Sequence, residues 1–333
     1  MGLHLKRLSR IPCLFLYCFV SINAMALTTG IRHFYDTDIL SSTLITSICQ
    51  DKQGYIWGTT EYGLNRFDGV HSISFYADDE SALPLLSNNL RKVLCDNDGR
   101  VWIVSYKGVQ CFDQLSYSFP SVRIEGKDQL FPTDMIVMRN GRLLMLTTEK
   151  GLYFVNPKTM TSEQWTAANQ LHVDSTANCM FEDSRGRIWI CCDKTGLTQI
   201  DVKASRCLRF DRSQLFSDGA NAVCEDGKGR VIVLSRSKVL LYDETSCTLR
   251  EISNAAGLNL RTLFKTQEGK VLVATFGNGL MAVDVQNQQL VPYLQETIDD
   301  VNLATQSIQA YYEDIQQNKW VGCYRGGIAF LTN

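Results

Sequence analysis

Apolar residues in this chain come in short runs, and Gly, Asp or Asn cuts each run off before a helical period can develop. One arrangement recurs. An apolar segment ends in Asp, and Gly follows after two intervening residues. A second apolar segment carries Trp three residues past that Gly. A second Gly, another apolar residue and a further Asp or Asn close the unit. The sharpest copy is Ile45-Thr46-Ser47-Ile48-Cys49-Gln50-Asp51, Gly54, Ile56-Trp57, Gly63-Leu64 and Asp68. Short segments rich in Val, Ile, Leu, Trp and Tyr, bounded by turn residues, predict strands.

The unit returns along the chain. A second copy has Val93, Asp96, Gly99, Val101-Trp102, Gly108-Val109 and Asp113. A third, degenerate copy has Ile136, Gly141, Leu143-Leu144, Gly151-Leu152 and Asn156. The fourth has Phe181, Asp183, Gly186, Ile188-Trp189, Gly196-Leu197 and Asp201. The fifth has Val223, Asp226, Gly229, Val231-Ile232, Leu240 and Asp243, and the sixth Leu263, Gly269, Val271-Leu272, Gly279-Leu280 and Asp284. The seventh has Tyr312, Asp314, Trp320, Gly326-Gly327 and Ile328; Gln317 stands where the others have Gly, and its turn is assigned to Asn318. Repeats spaced by roughly 40–48 residues are those of propeller blades, each a four-stranded antiparallel sheet. The fold expected is all-β, a seven-bladed β-propeller.

Each repeated residue has a structural task. Asp-x-x-Gly is a hairpin turn, with Asp capping it through its side chain and Gly accepting positive φ. Trp57, Trp102, Trp189 and Trp320 share one position, which indicates packing between blades. Trp165 falls outside the pattern and is expected in outer-strand packing. Ser72 to Tyr76 supplies an outer strand. The last copy lacks one before Asn333, whereas Ile31 to Tyr35 precedes the first copy as a spare. This segment is expected to complete the seventh blade and close the ring, hiding edges that would invite aggregation.

The run Asp51-Lys52-Gln53-Gly54-Tyr55-Ile56-Trp57-Gly58-Thr59, followed by Gly63-Leu64-Asn65-Arg66-Phe67-Asp68-Gly69, resembles the two-component regulator propeller repeat. The resemblance covers roughly residues 31–333 and implies the periplasmic sensor region of a hybrid two-component system. In that family two such propellers usually precede a small β-sandwich, a membrane helix, a histidine kinase and a DNA-binding regulator. Members resembling this chain sense oligosaccharides. This sequence matches the N-terminal propeller only, so a kinase is expected only if a longer protein continues past residue 333.

The N-terminus alters the picture of where the chain works. Lys6, Arg7 and Arg10 precede an apolar run from Ile11 to Ile22, and Ala24-Met25-Ala26 follows. A basic start, a short apolar core and an A-x-A site read as a secretory signal over residues 1–26, leaving 27–333 as the propeller. The periplasm is the compartment expected, with inner-membrane attachment only through a longer protein. The formal net charge is -2. Removal of the signal leaves 30 basic and 35 acidic residues, which offers no basic field for nucleic acid. The 12 cysteines fall mostly inside strand patterns, with no C-x-x-C pair and no zinc spacing, and read as small buried hydrophobes. Export admits one or two disulfides, which spacing does not assign.

Chemistry is sparse. His33, His71 and His172 occupy no shared repeat position, which argues against a histidine lyase or a His-rich metal site. There is no G-x-S-x-G elbow and no phosphate-binding glycine loop. Asp96-Asn97-Asp98-Gly99 starts like a calcium loop but lacks the later acidic ligand. No catalytic residue, metal or cofactor is expected.

Loops between second and third strands share a face with the interblade connections. They carry Glu61-Tyr62, Tyr106-Lys107, Glu149-Lys150, Asp193-Lys194, Arg236, Phe276-Gly277-Asn278 and Tyr324-Arg325. Aromatic faces stack on sugar C–H surfaces, and charged or amide groups hydrogen-bond the hydroxyls. The expected function is therefore ligand sensing without catalysis, with an oligosaccharide as partner and Glu61, Tyr62, Tyr106, Lys107, Glu149, Asp193, Lys194, Arg236, Asn278, Tyr324 and Arg325 as candidate contacts. A second propeller or a homodimer partner is a further candidate occupant. The first alternative is a free-standing protein-docking propeller; a propeller lyase or glycoside hydrolase ranks last.

Overall fold

The innermost strands form a closed circle, each beside the innermost strand of the next blade from the first to the seventh and back to the first. The computed structural model describes residues 32–35, 39–69, 71–78, 80, 83–124, 131–148, 151–169, 177–192, 194–211, 219–255 and 257–333. The signal segment read at 1–26 lies outside them, as do the candidate contacts Glu149 and Asp193.

Blade one comprises Ile45–Gln50, Ile56–Thr60, Gly63–Phe67 and Ser72–Phe75, hydrogen-bonded in that order. Blades four, five and six repeat this antiparallel meander, starting at Ala177, Ala222 and Leu260. Blade two has Leu90–Cys95, Val101–Ser105 and Gly108–Cys111, with isolated bridges from Gln110 to Ser121 and from Asp113 to Ser118 at its outer edge. Blade three, from Pro132, has four antiparallel strands, and the short strand Arg123–Ile124 pairs parallel to its outermost member. In blade seven, Ile308–Glu313, Lys319–Cys323 and Gly327–Leu331 come from the C-terminal end. Arg32–Tyr35 pairs antiparallel to Gly327–Leu331, with Tyr35 opposite Ile328. The spare N-terminal strand thus closes a seven-bladed ring, as the repeat count required.

No backbone ladder joins one blade to the next, so side chains hold the ring. The buried apolar residues divide into seven clusters, each spanning one pair of neighbouring blades. The repeated tryptophans are the largest members. Trp57 packs with Val93 and Val101 of blade two, and Trp189 with Val223 and Val231 of blade five. Trp165 packs partly buried against Phe154, its rings 4.8 Å apart, in agreement with the outer-strand expectation.

At each first hairpin the repeated Asp does more than cap a turn. Oδ1 of Asp183 accepts from the backbone N–H groups of Arg185 and Arg187, both at 3.0 Å. Its Oδ2 accepts from Trp189 Nε1 at 2.8 Å and Arg187 Nε at 2.6 Å. The same indole bond runs from Trp57 to Asp51 (2.7 Å), from Trp102 to Asp96 (3.0 Å) and from Trp320 to Asp314 (2.9 Å). Blade five lacks the Trp, and Arg230 Nε takes its place on Asp226 at 2.7 Å. Blades three and six lack the Asp. Met138 and Thr266 make the same two backbone turn bonds there, and Thr266 Oγ1 also accepts from Lys270 N. In the seventh turn the sequence reading needs correction. Gln317 itself takes the left-handed conformation, at φ 65°. Asn318 instead buttresses the turn, donating from Nδ2 to Asp314 Oδ2 at 2.9 Å. Asn and other polar residues tolerate this region better than branched ones, so the cost at Gln317 is local.

A second device joins neighbouring tips. The residue before the turn Asp accepts, through its side chain, from the N–H that follows the turn residue of the preceding blade. Arg139 N donates to Glu182 Oε2 at 2.6 Å, Ser184 N to Glu225 Oε2 at 3.0 Å, Gln267 N to Glu313 Oε2 at 2.5 Å, and Ile315 N to Gln50 Oε1 at 2.8 Å. Arg187 adds a bidentate pair to Glu244, at 2.8 and 2.6 Å, across the joint between blades four and five.

Two outcomes follow from this architecture. Asp183→Ala strands a buried indole N–H and the Nε–H of Arg187, and should lower unfolding stability by about 2–4 kcal/mol, read as a lower urea midpoint at unchanged slope. Deleting residues 32–35 bares the edge of Gly327–Leu331 and should give dimers or aggregates by light scattering.

Candidate functional site

In five blades the second strand runs out at a buried hydroxyl, Thr60, Ser105, Thr147, Ser235 or Thr275, and this detail shapes the candidate loops. Thr60 Oγ1 donates to Gly63 O at 3.0 Å and accepts from Tyr62 N at 2.9 Å. Ser105 accepts from Lys107 N at 3.3 Å, and Ser235 from Lys238 N at 3.0 Å. Thr275 donates to Gly279 O at 2.8 Å and accepts from Asn278 N at 3.0 Å. Each loop is thus pinned from beneath and its tip turned outward. Gly63, Gly279 and Gly327 donate to the carbonyls of Asn88, Gln306 and Thr43 in the interblade connections, at 2.8–2.9 Å. This places both sets of segments on one face, as the blade meander requires.

On that face the aromatics are grouped. Phe276 of blade six and Tyr324 of blade seven have ring centroids 5.7 Å apart. Arg261 lies 4.9 Å over Phe276, and Arg325 lies 5.4 Å from Tyr324. In blade one Tyr62 is 58% exposed, with Tyr76 6.2 Å away. Tyr106 of blade two and Phe131, at the entry to blade three, are also exposed. The arc therefore runs through five adjacent blades, from six through seven, one and two to three. Blades four and five carry exposed Lys194 and Arg236 instead. Glu61, Lys107, Asn278 and Arg325 are exposed between the aromatics, and Tyr324 is half-buried.

The axis inside this arc is open. A cavity of about 1260 Å³ runs along the first strands, lined from Asn89 and Tyr106 at one end to Lys52 and Ile315 at the other. Of the described candidate contacts, only Tyr106 reaches it. The sequence reading missed a ring of residues at its mouth. In six blades the first strand carries a β-bulge near its start, at Thr46, Arg91, Thr133, Asn178, Arg261 and Gln309. A bulge re-aims a side chain and bends the strand. All but Arg261 line the cavity. A polar residue in the second place of six of the seven first strands was the available signal.

Deeper in the channel, charge is neutralised in place. Lys92 Nζ of blade two lies 2.6 Å from Asp134 Oδ1 of blade three, and Asp134 Oδ2 accepts from Met180 N of blade four at 2.8 Å. One buried carboxylate thus ties three blades. On the blade-seven wall, Tyr311 donates to Glu313 Oε1 at 2.5 Å. Burial, reinforced by that bond, pushes the Tyr311 phenol far up, and burial pushes Tyr312 up to about 12. Both remain neutral donors at any ordinary pH. Among the described residues no group of three or more His, Cys, Asp or Glu side chains could hold a metal, and no helix is long and apolar enough to cross a membrane. His71 sits beside Asp68 on the turn before the outer strand of blade one, at 3.6 Å.

Known proteins resemble the chain in sequence repeat and in fold. Residues 39–62 and 173–194, in blades one and four, match the family model described as two component regulator propeller. Comparison with curated proteins finds no match. The extracellular domain of a hybrid two-component system of B. thetaiotaomicron superposes with TM-score 0.77 at 21% identity, covering 91% of this chain and 42% of that one. A second such domain from the same organism gives 0.74 at 16%, covering 90% and 42%. Virginiamycin B lyase of Staphylococcus aureus gives 0.70 at 11%, covering 91% and 99%. The chain thus spans 42% of the length of the two-component extracellular domains it matches.

Removing one partner of the Lys92–Asp134 pair tests the channel wall. Lys92→Met leaves a buried carboxylate without its cation and should destabilise by about 2–4 kcal/mol, whereas Lys92→Met with Asp134→Leu should recover most of the loss. Denaturant midpoints of the three forms check this.

Proposed function

We propose that this chain, a ring built on two-component regulator propeller repeats, is the ligand-sensing propeller of an exported sensor region, and that its loop face takes an oligosaccharide by binding alone. The observation that carries this reading is the aromatic arc of Phe276, Tyr324, Tyr62 and Tyr106 around a mouth set with bulge-borne polar residues. Planar rings accept the C–H faces of successive sugar units. Arg91, Thr133, Asn178 and Gln309 stand inward, where hydroxyls of a bound sugar would need donors and acceptors.

The scaffold beneath suits such a task. Ligand binding would organise loops on a fixed ring and shift its orientation against a neighbouring domain; the size of the response is set by the ligand's differential affinity for the two arrangements. The likeness to extracellular domains of two-component systems and the matched repeats support this reading. The 42% coverage of those domains favours a second one, in which part of the same face docks against a neighbouring propeller. The lyase shares the fold at 11% identity, and His71 lies out on blade one, away from the channel mouth.

Calorimetry against a panel of glycan fragments tests the proposal. Binding is expected with a subset of oligosaccharides. Single Tyr62→Ala, Tyr106→Ala and Phe276→Ala changes should each weaken binding about tenfold with unchanged melting. No binding by any fragment to the folded protein would refute the sugar reading, and a stable complex with a second propeller that masks these tyrosines would favour docking.

A further inference from the structure

At four joints Glu or Gln before the turn Asp accepts from the preceding blade's tip, as at Glu182, Glu225, Glu313 and Gln50; Val137 and Lys265 hold that place in blades three and six. In blade two that position is Cys95. Its Sγ lies 3.0 Å from Sγ of Cys49, the residue two before Asp51 in blade one. Two unbonded sulfurs do not rest so close, and a disulfide at about 2.05 Å needs roughly one ångström of further approach. We propose that Cys49 and Cys95 form a disulfide that locks blade one to blade two in the channel wall.

Three observations bear on it. Both residues line the axial cavity, and Cys95 is the more exposed of the two, so a dissolved oxidant meets it first. They belong to separate sheets, and a bond between them crosses a joint that no backbone ladder spans. Cys179 and Cys191, by contrast, face each other across adjacent strands within blade four, where a bond would add no tie between blades. Burial, with Cys95 alongside, pushes the Cys49 thiol well up. Cys95, only half-buried, is therefore the first to react. Its sulfur attacks a small-molecule disulfide, forming a mixed disulfide and expelling one thiol. Cys49 Sγ then attacks Cys95 Sγ, the interblade bond forms and the second thiol leaves. Two protons and two electrons pass to the oxidant. The inference needs an oxidising compartment, as the export reading supplies, but does not depend on the sugar.

The test treats the purified chain with glutathione disulfide, blocks remaining thiols with N-ethylmaleimide and digests with trypsin. A linked species of residues 33–52 and 93–100, split by dithiothreitol, is expected. The oxidised protein should melt roughly 5–10 °C above the reduced form, since the bond closes a long loop. Cys49→Ser and Cys95→Ser should each abolish that difference while keeping the fold. Maleimide on both cysteines of the folded, oxidised protein, linkage of either to another cysteine, or equal melting of the two forms would overturn the proposal.

Discussion

At the tips of four blades a carboxylate sits out of solvent, with two backbone N–H groups on one oxygen and an indole N–H on the other. A buried charge is costly unless every lone pair is occupied. Here the occupation does structural work in two directions. The backbone donors fix the hairpin between first and second strands. The indole donor fixes the rotamer of the residue that fills the gap to the next blade. Turn geometry and interblade packing are therefore settled by one side chain. Blade five shows what the carboxylate requires: with no Trp available, Arg230 supplies the donor, and Ile232, at the Trp position, takes over the packing toward blade six.

The two faces of the ring divide their tasks for a related reason. On the hairpin-tip face, side-chain acceptors before the turn Asp reach across to neighbouring backbone N–H groups, and an arginine network around Glu225 and Glu244 reinforces blades three to five. Backbone donors there are consumed within the ring. On the opposite face the hydroxyls of Thr60, Ser105, Ser235 and Thr275 satisfy the loops from below. Side chains at the loop tips carry no structural duty and are left exposed. A face whose backbone is already satisfied can vary its side chains without loss of fold, which is the physical condition for a recognition surface.

The repeat, the number of blades and the closing strand were legible in the chain because each depends on local chemistry. Asp-x-x-Gly writes a hairpin wherever it occurs, Trp at a constant offset marks a packing position, and a missing strand at one end with a spare at the other leaves one way to close. Gln317 shows where that logic stopped: the missing Gly was visible, but which residue would take the left-handed conformation depended on how Asn318 met Asp314. The loop positions Tyr62, Tyr106, Lys107, Asn278 and Arg325 were legible as exposed for the same local reason.

What the sequence determined by itself was thus every feature set within one hairpin or one strand pair. What only the tertiary structure decided were relations between residues 40 to 90 positions apart. The gathering of aromatics on adjacent blades, the bulge-borne ring of polar residues at the channel mouth, the Lys92–Asp134 tie and the approach of Cys49 to Cys95 are of that kind. Each arises only when the ring closes, because closure alone sets which blade tips and first strands stand side by side. A periodic sequence states what every blade contains; the curvature that brings seven of them around one axis states what they can do together.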